Sequence, residues 1–178
     1  MPKYFAFLRA INVGGHTVKM DYLRSVFEEL GFSNVETFIA SGNVIFDSSS
    51  RSIRSLEKKI ESALEKSLGY EVITFVRSQN ELSEIANYQP FAQTDVASAH
   101  AVYVGFIAEG PSEAERQKVL SLNTKDDEFH LNGREVYWLC RTKFSDSKIS
   151  GPLMAKALGI PATLRNTSTI KKLAAKYC

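Results

Sequence analysis

The side chains best suited to binding chemistry lie late in the sequence. Residues 141–178 hold eight basic side chains, Arg141, Lys143, Lys148, Lys156, Arg165, Lys171, Lys172 and Lys176, against one acid, Asp146, a net of +7. Residues 1–140 hold 14 basic and 19 acidic side chains, a net of −5. Positive charge confined to one region is the electrostatic footprint of an anionic partner, although lysines that merely solvate a small face give the same count. Arginine grips a phosphate or carboxylate with a fork of donors, whereas lysine acts as a point charge. Arg141, Lys143, Ser147 and Lys148 follow one expected strand. Arg165, Asn166, Thr167 and Thr169 join another strand to a helix, whose free N–H groups and dipole favour an anion. The partner such a surface suits is a phosphorylated metabolite or a nucleic acid.

A second constellation lies near the start of the chain. Arg9, Asn12, Gly14 and Gly15 occupy a loop between a strand and a helix, and Ser41, Gly42 and Asn43 form a hairpin turn expected at the same sheet edge. Backbone donors in such a loop can hold a phosphate. Neither the dinucleotide glycine spacing nor the phosphate-loop spacing with its lysine is present, and a purely conformational turn explains the glycines as simply.

Catalytic and metal chemistry find little support. His16, His100 and His130 stand alone in different elements, without the regular spacing of a metal site. Ser145-Asp146-Ser147 has neither a nucleophile elbow nor an evident base, and helix capping accounts for it. Cys140 falls in an apolar run and reads as a small buried hydrophobe; with Cys178 it forms no disulfide framework, which fits a reducing cytoplasm. No cofactor motif appears. Residues 4–8 form an apolar run too short for a membrane span. Tyr137 or Trp138 could stack a base, but alternating aromatics in a strand usually build core.

These residues must be positioned by regular elements, and the hydrophobic pattern supplies them. Residues 3–10 read as a central strand, apolar on both faces. A helix follows from Asp21 as N-cap, with Leu23, Val26, Phe27 and Leu30 on one face. Val35 to Ile39 and Val44 to Phe46 form a hairpin about the turn at 41–43. Ile53, Leu56, Ile60, Leu64 and Leu68 mark a long amphipathic helix closed by Gly69, and Val72 to Val76 is a strand. Ser78 and Glu81 are spaced as a capping box for a further helix. After a connection over 89–99 the order repeats. The second round has a strand from Ala101, a helix capped by Ser112 and Glu115, and a hairpin at Asn132-Gly133. It continues with a helix ending at Gly159, a strand over Ala162 to Arg165, and a last helix capped by Thr167 or Ser168.

The motif Leu8-Arg9-Ala10-Ile11-Asn12-Val13-Gly14-Gly15, the later Met20, Leu23 and Gly31, Ser41-Gly42-Asn43-Val44, Ser147-Lys148 and Thr163-Leu164-Arg165-Asn166 with Thr169 together resemble a bacterial family, domain-of-unknown-function family 1697. The family pattern carries glycine where this chain has Ala10 and often tryptophan where it has Thr167. The resemblance implies paired ferredoxin-like units and brings no substrate, cofactor or catalytic residue.

The expectation is therefore an α+β protein of two ferredoxin-like (βαββαβ) halves, antiparallel sheets with helices packed on one face. The halves are expected at residues 1–89, with a trailing helix, and 90–178, with a basic C-terminal helix. The leading functional expectation is a cytoplasmic, non-enzymatic binding module for an anionic ligand, without metal, cofactor or membrane. An enzyme acting on a small molecule between the halves is the alternative, and a structural or protein-interaction role the third.

Overall fold

The computed structural model describes residues 1–12, 15, 17–39 and 42–178. Two compact units are present: one comprises Met1–Ile85 together with Leu173–Cys178, the other Ala86–Lys172. Among the described residues, no helix is long and apolar enough to cross a membrane.

In the first unit, strand β1 (Lys3–Leu8) lies between β3 (Asn43–Asp47) and β4 (Thr74–Ser78), and β2 (Ser33–Thr37) pairs with β3 at the edge, all antiparallel. Alternation explains the central place of β1. Tyr4, Ala6 and Leu8 join Val44, Phe46 and Val76 in a core under helices α1 (Met20–Glu29) and α2 (Ile53–Leu68). Phe5, Phe7, Ile45 and Phe75 on the opposite face are buried as well, so the strand is apolar throughout.

The boundaries differ from the sequence reading where a partner is missing. Strand β4 starts at Thr74 rather than Val72, because β1 ends at Leu8 opposite Thr74 and leaves nothing for residues 72–73 to pair with beyond a bond from the Arg9 amide to the Ile73 carbonyl. Helix α1 starts two residues early, with Lys19 rather than Asp21 at its N-cap and no side-chain cap, so Asp21 sits in the first turn. There its charge still suits the helix dipole. Helix α3 (Gln79–Asn87) carries the expected reciprocal cap: the Ser78 amide donates to Glu81 Oε2 at 2.8 Å and the Glu81 amide to Ser78 Oγ at 3.3 Å.

The second unit repeats the plan. The stretch expected as a plain connection contains a short helix, α4 (Gln93–Ser98). Strand β5 (Ala101–Phe106) is central, flanked by β7 (Glu135–Cys140) and β8 (Thr163–Asn166), with β6 (Asp127–Asn132) at the edge. Helices α5 (Glu113–Leu120) and α6 (Gly151–Leu158) contribute Val119, Met154 and Leu158 to a core with Trp138 and Phe129. Gly105 permits this closeness, since a Cβ there would lie 3.2 Å from Leu164 and 3.3 Å from Met154. Helix α7 (Thr167–Tyr177) follows β8 at once; its cap is Asn166, whose Oδ1 accepts the Ser168 amide at 2.9 Å, rather than Thr167 or Ser168.

The two halves share a buried arginine. Arg77 and Arg165 each stand two residues before a trailing helix, opposite Phe5 and Val104 respectively. Each donates from Nη1 to the carbonyl of its preceding residue, Val76 at 3.0 Å and Leu164 at 2.9 Å. Both are buried. The duplication thus extends to a buried arginine at one fixed place in the plan.

Residues 173–178 belong to the first unit through specific contacts. The Tyr177 ring meets Phe5 and Phe38 edge-on, its hydroxyl donates to Glu36 at 2.5 Å, and its carbonyl accepts from Gln79 at 2.6 Å. Lys176 lies over the Phe38 ring and 3.7 Å from the Glu36 carboxylate.

Ala10 is held at φ 54°, a left-handed conformation that an L side chain resists. This accounts for the glycine that the family pattern places there. Ala10→Gly should therefore raise stability by about 0.5–1 kcal/mol, read as a shift of the urea midpoint, relief of strain outweighing the added freedom of the unfolded chain. A lower midpoint would show that the loop holds Ala10 without strain.

Candidate functional site

The topology brings the ends of β7 and β8 to one sheet edge. Both run antiparallel to β5, and their last residues, Cys140 and Asn166, face Ala101 and Tyr103 at its beginning. From here the chain runs through residues 141–150, with a 3-10 turn over Phe144–Asp146.

That segment is anchored by a buried carboxylate. Asp127 is only 2% exposed, and its Oδ1 accepts from Trp138 Nε1 and from Ser147 Oγ, each at 2.9 Å. Thr124 Oγ1 reaches its Oδ2 at 3.4 Å. Charge-assisted bonds to neutral donors stabilise a carboxylate that would otherwise lose its solvation. Ser147 is thereby an anchor, and its oxygen in turn accepts the Ile149 amide at 3.0 Å. Cys140 lies opposite Asp127 across the strand pair. Burial, and then the nearby Asp127 charge, push its thiol above the ordinary value, so it stays protonated and weakly nucleophilic.

The two arginines of the basic edge are engaged. Arg141 Nη2 lies 3.1 Å from Glu128 and 3.5 Å from Asp95, while its Nη1 donates to the Lys125 carbonyl at 3.2 Å. Arg165 is 8% exposed and donates to Thr163 Oγ1 and the Leu164 carbonyl, both at 2.9 Å. Burial lowers its guanidinium to about 10, still well above neutral pH. Thr167 Oγ1 donates to the Val102 carbonyl at 3.1 Å, and Asn166 caps α7 as described. Thr169 is partly buried in the first turn of that helix.

Lys143 and Lys148 are exposed. Among the described residues neither has an ion-pair partner. Between them stands Phe144, 44% exposed, its ring 5.5 Å from Tyr103 and 5.4 Å from Trp138. Sequence reading passed over Phe144. The available signal was its position beside lysine in a loop, where an apolar ring has no strand or helix face to fill. Tyr137 and Trp138, the aromatics considered for stacking, are 1% and 0% exposed and belong to the interior.

The other constellation is a turn region of the first unit. Leu8 donates its amide to the Gly42 carbonyl at 2.9 Å, which joins the end of β1 to the hairpin. Arg9 is exposed, Asn12 Oδ1 accepts the Val18 amide at 2.9 Å, and Gly15 has φ 84°. Asn43 is buried and bonds the Phe38 carbonyl through Nδ2 at 3.0 Å. Gly14 and Ser41 lie outside the described residues, as does His16. His130 Nε2 is 2.7 Å from the Tyr88 hydroxyl, and the reading of residues 145–147 as helix caps gives way to the 3-10 turn and its tie to Asp127.

Residues 1–137 match the family model described as "Protein of unknown function (DUF1697)". The chain belongs to this family. It is also similar to a solved structure, the conserved bacterial protein SP0830 from Streptococcus pneumoniae. Identity is 26%, 99% of this chain and 98% of that chain are covered, and the TM-score is 0.76. The family match stops within β7, whereas the structural likeness continues through the basic segment and α7. No curated protein matches the chain.

Proposed function

We propose that the chain is a cytoplasmic binding module for an anionic ligand, received at the edge where β7 and β8 end. The observation that carries this reading is the pair of exposed lysines, Lys143 and Lys148, on a segment held in place by the Ser147–Asp127 bond. An exposed lysine with a carboxylate neighbour is already answered; these two have none among the described residues, belong to a stretch of sequence, residues 141–178, with a net of +7, and sit on a fixed frame, which lowers the entropy lost on binding. Arg165 and Arg141 support the frame rather than the ligand, since their donors serve neighbouring groups. Free thiols at Cys140 and Cys178 suit a reducing compartment.

Heparin chromatography tests the charge. Lys143→Glu with Lys148→Glu should elute at clearly lower salt than the parent. Lys58→Glu with Lys66→Glu, the same charge change at exposed positions of α2, should shift elution much less. Equal shifts for the two pairs would reduce the effect to net charge and remove the site.

A further inference from the structure

Resting on the anion-binding reading of this edge, we infer that its ligand is a single-stranded nucleic acid, one base of which stacks on Phe144 while flanking phosphates meet Lys143 and Lys148. A polyanion without bases has no use for an aromatic ring, yet the ring at this edge packs against the protein on one side and leaves much of its surface open to solvent. Phe144 is 44% exposed, and the rings of Tyr103, at 72° to it, and Trp138, at 51°, support it from the protein side. Trp138 is fixed in turn by its bond to Asp127. An aromatic ring so supported is a preorganised platform, and base stacking on such a ring tolerates any sequence. Cationic groups before and after it in the chain track a phosphate backbone, the combination that binds single strands. Acids are close too: Asp146 lies in the same turn, and Glu128 and Asp95 are occupied by Arg141. Affinity is therefore modest, and the aromatic contact decides between anions. Two lysines rather than one favour a polymer over a mononucleotide.

Trp138 is the single tryptophan of the chain and lies against Phe144, so its fluorescence reports on the site. The probes are a labelled oligothymidylate of about twelve nucleotides, followed by anisotropy, thymidine monophosphate, and inorganic polyphosphate of matched charge. Phe144→Ala should weaken oligonucleotide binding by about tenfold, within the range that removal of one stacking partner produces, while leaving polyphosphate binding unchanged. Phe144→Tyr, which keeps the ring, should restore it. Thermal melting shows that each variant is folded, and because Phe144 is an exposed turn residue the alanine variant is expected to be. Equal binding of both polymers by parent and Phe144→Ala would overturn the base contact and leave the anion site standing. Thymidine monophosphate bound as tightly as the oligonucleotide would overturn the polymer. No binding of either polymer by the parent protein would overturn both this inference and the reading on which it rests.

Discussion

Gly42→Val should cost about 3 kcal/mol of stability. Two causes add. Gly42 has φ 79°, where any side chain is strained and a β-branched one most of all. A Cβ there would also lie 3.0 Å from Ile11 Cγ2 and 3.2 Å from both the Cβ and the carbonyl oxygen of Leu8. Leu8 and Ile11 are 1% and 3% exposed, so neither can swing into solvent to make room. The hydrogen bond from the Leu8 amide to the Gly42 carbonyl would be displaced with them. Gly69 provides the control, because it has a similar φ of 83° and nothing within 4 Å of the added atom. Gly69→Val should show the strain alone. Urea denaturation of both variants separates the contributions, and equal losses would mean that Leu8 and Ile11 yield to the new side chain.

Asp127→Ala should cost a similar amount, about 3 kcal/mol, by a different route. The carboxylate is the acceptor for Trp138 and Ser147 on one oxygen and for Thr124 on the other. Alanine leaves the Trp138 N–H unpaired in a side chain that is 0% exposed, and a buried polar group without a partner costs about 1–3 kcal/mol by itself. It also frees Ser147 and with it the segment carrying Lys143, Phe144 and Lys148. Asp127→Asn keeps an acceptor for Trp138 and should lose about 1 kcal/mol. Denaturation followed by Trp138 fluorescence measures both effects. If the alanine variant keeps the parent's emission maximum and midpoint, the carboxylate is not the anchor of this edge.

The fold was legible because its elements are repeated, strongly patterned and well punctuated. Capping pairs at Ser78/Glu81 and Ser112/Glu115, and terminal glycines at 69 and 159, are local signals that the structure realises bond by bond. Ends fixed by a distant partner were not legible: β4 starts where β1 lets it, and α7 is capped by Asn166 because β8 ends beside it. The charge count found the basic segment but could not tell which cations were engaged. Arg165 reads from sequence as a forked phosphate ligand. Its placement opposite Val104, on the face of β8 where Thr163 and Arg165 are both buried, turns it inward. Arg141 is held by Glu128 and Asp95, acids 13 and 46 positions earlier that no local pattern connects to it. Asp127 escaped attention for the same reason, since its partners come from two other segments of the chain.

Completion of the first unit by residues 173–178 has a consequence for synthesis. The second unit is one continuous stretch, Ala86–Lys172, and can close as soon as it leaves the ribosome. The first unit, although translated earlier, is completed only when Tyr177 reaches Phe5, Phe38, Glu36 and Gln79. At about 5–20 residues per second, that delay is on the order of ten seconds. During this interval the face of the nascent sheet that carries Phe5 lacks the Tyr177 ring, and an apolar side chain that the finished protein buries is left less covered.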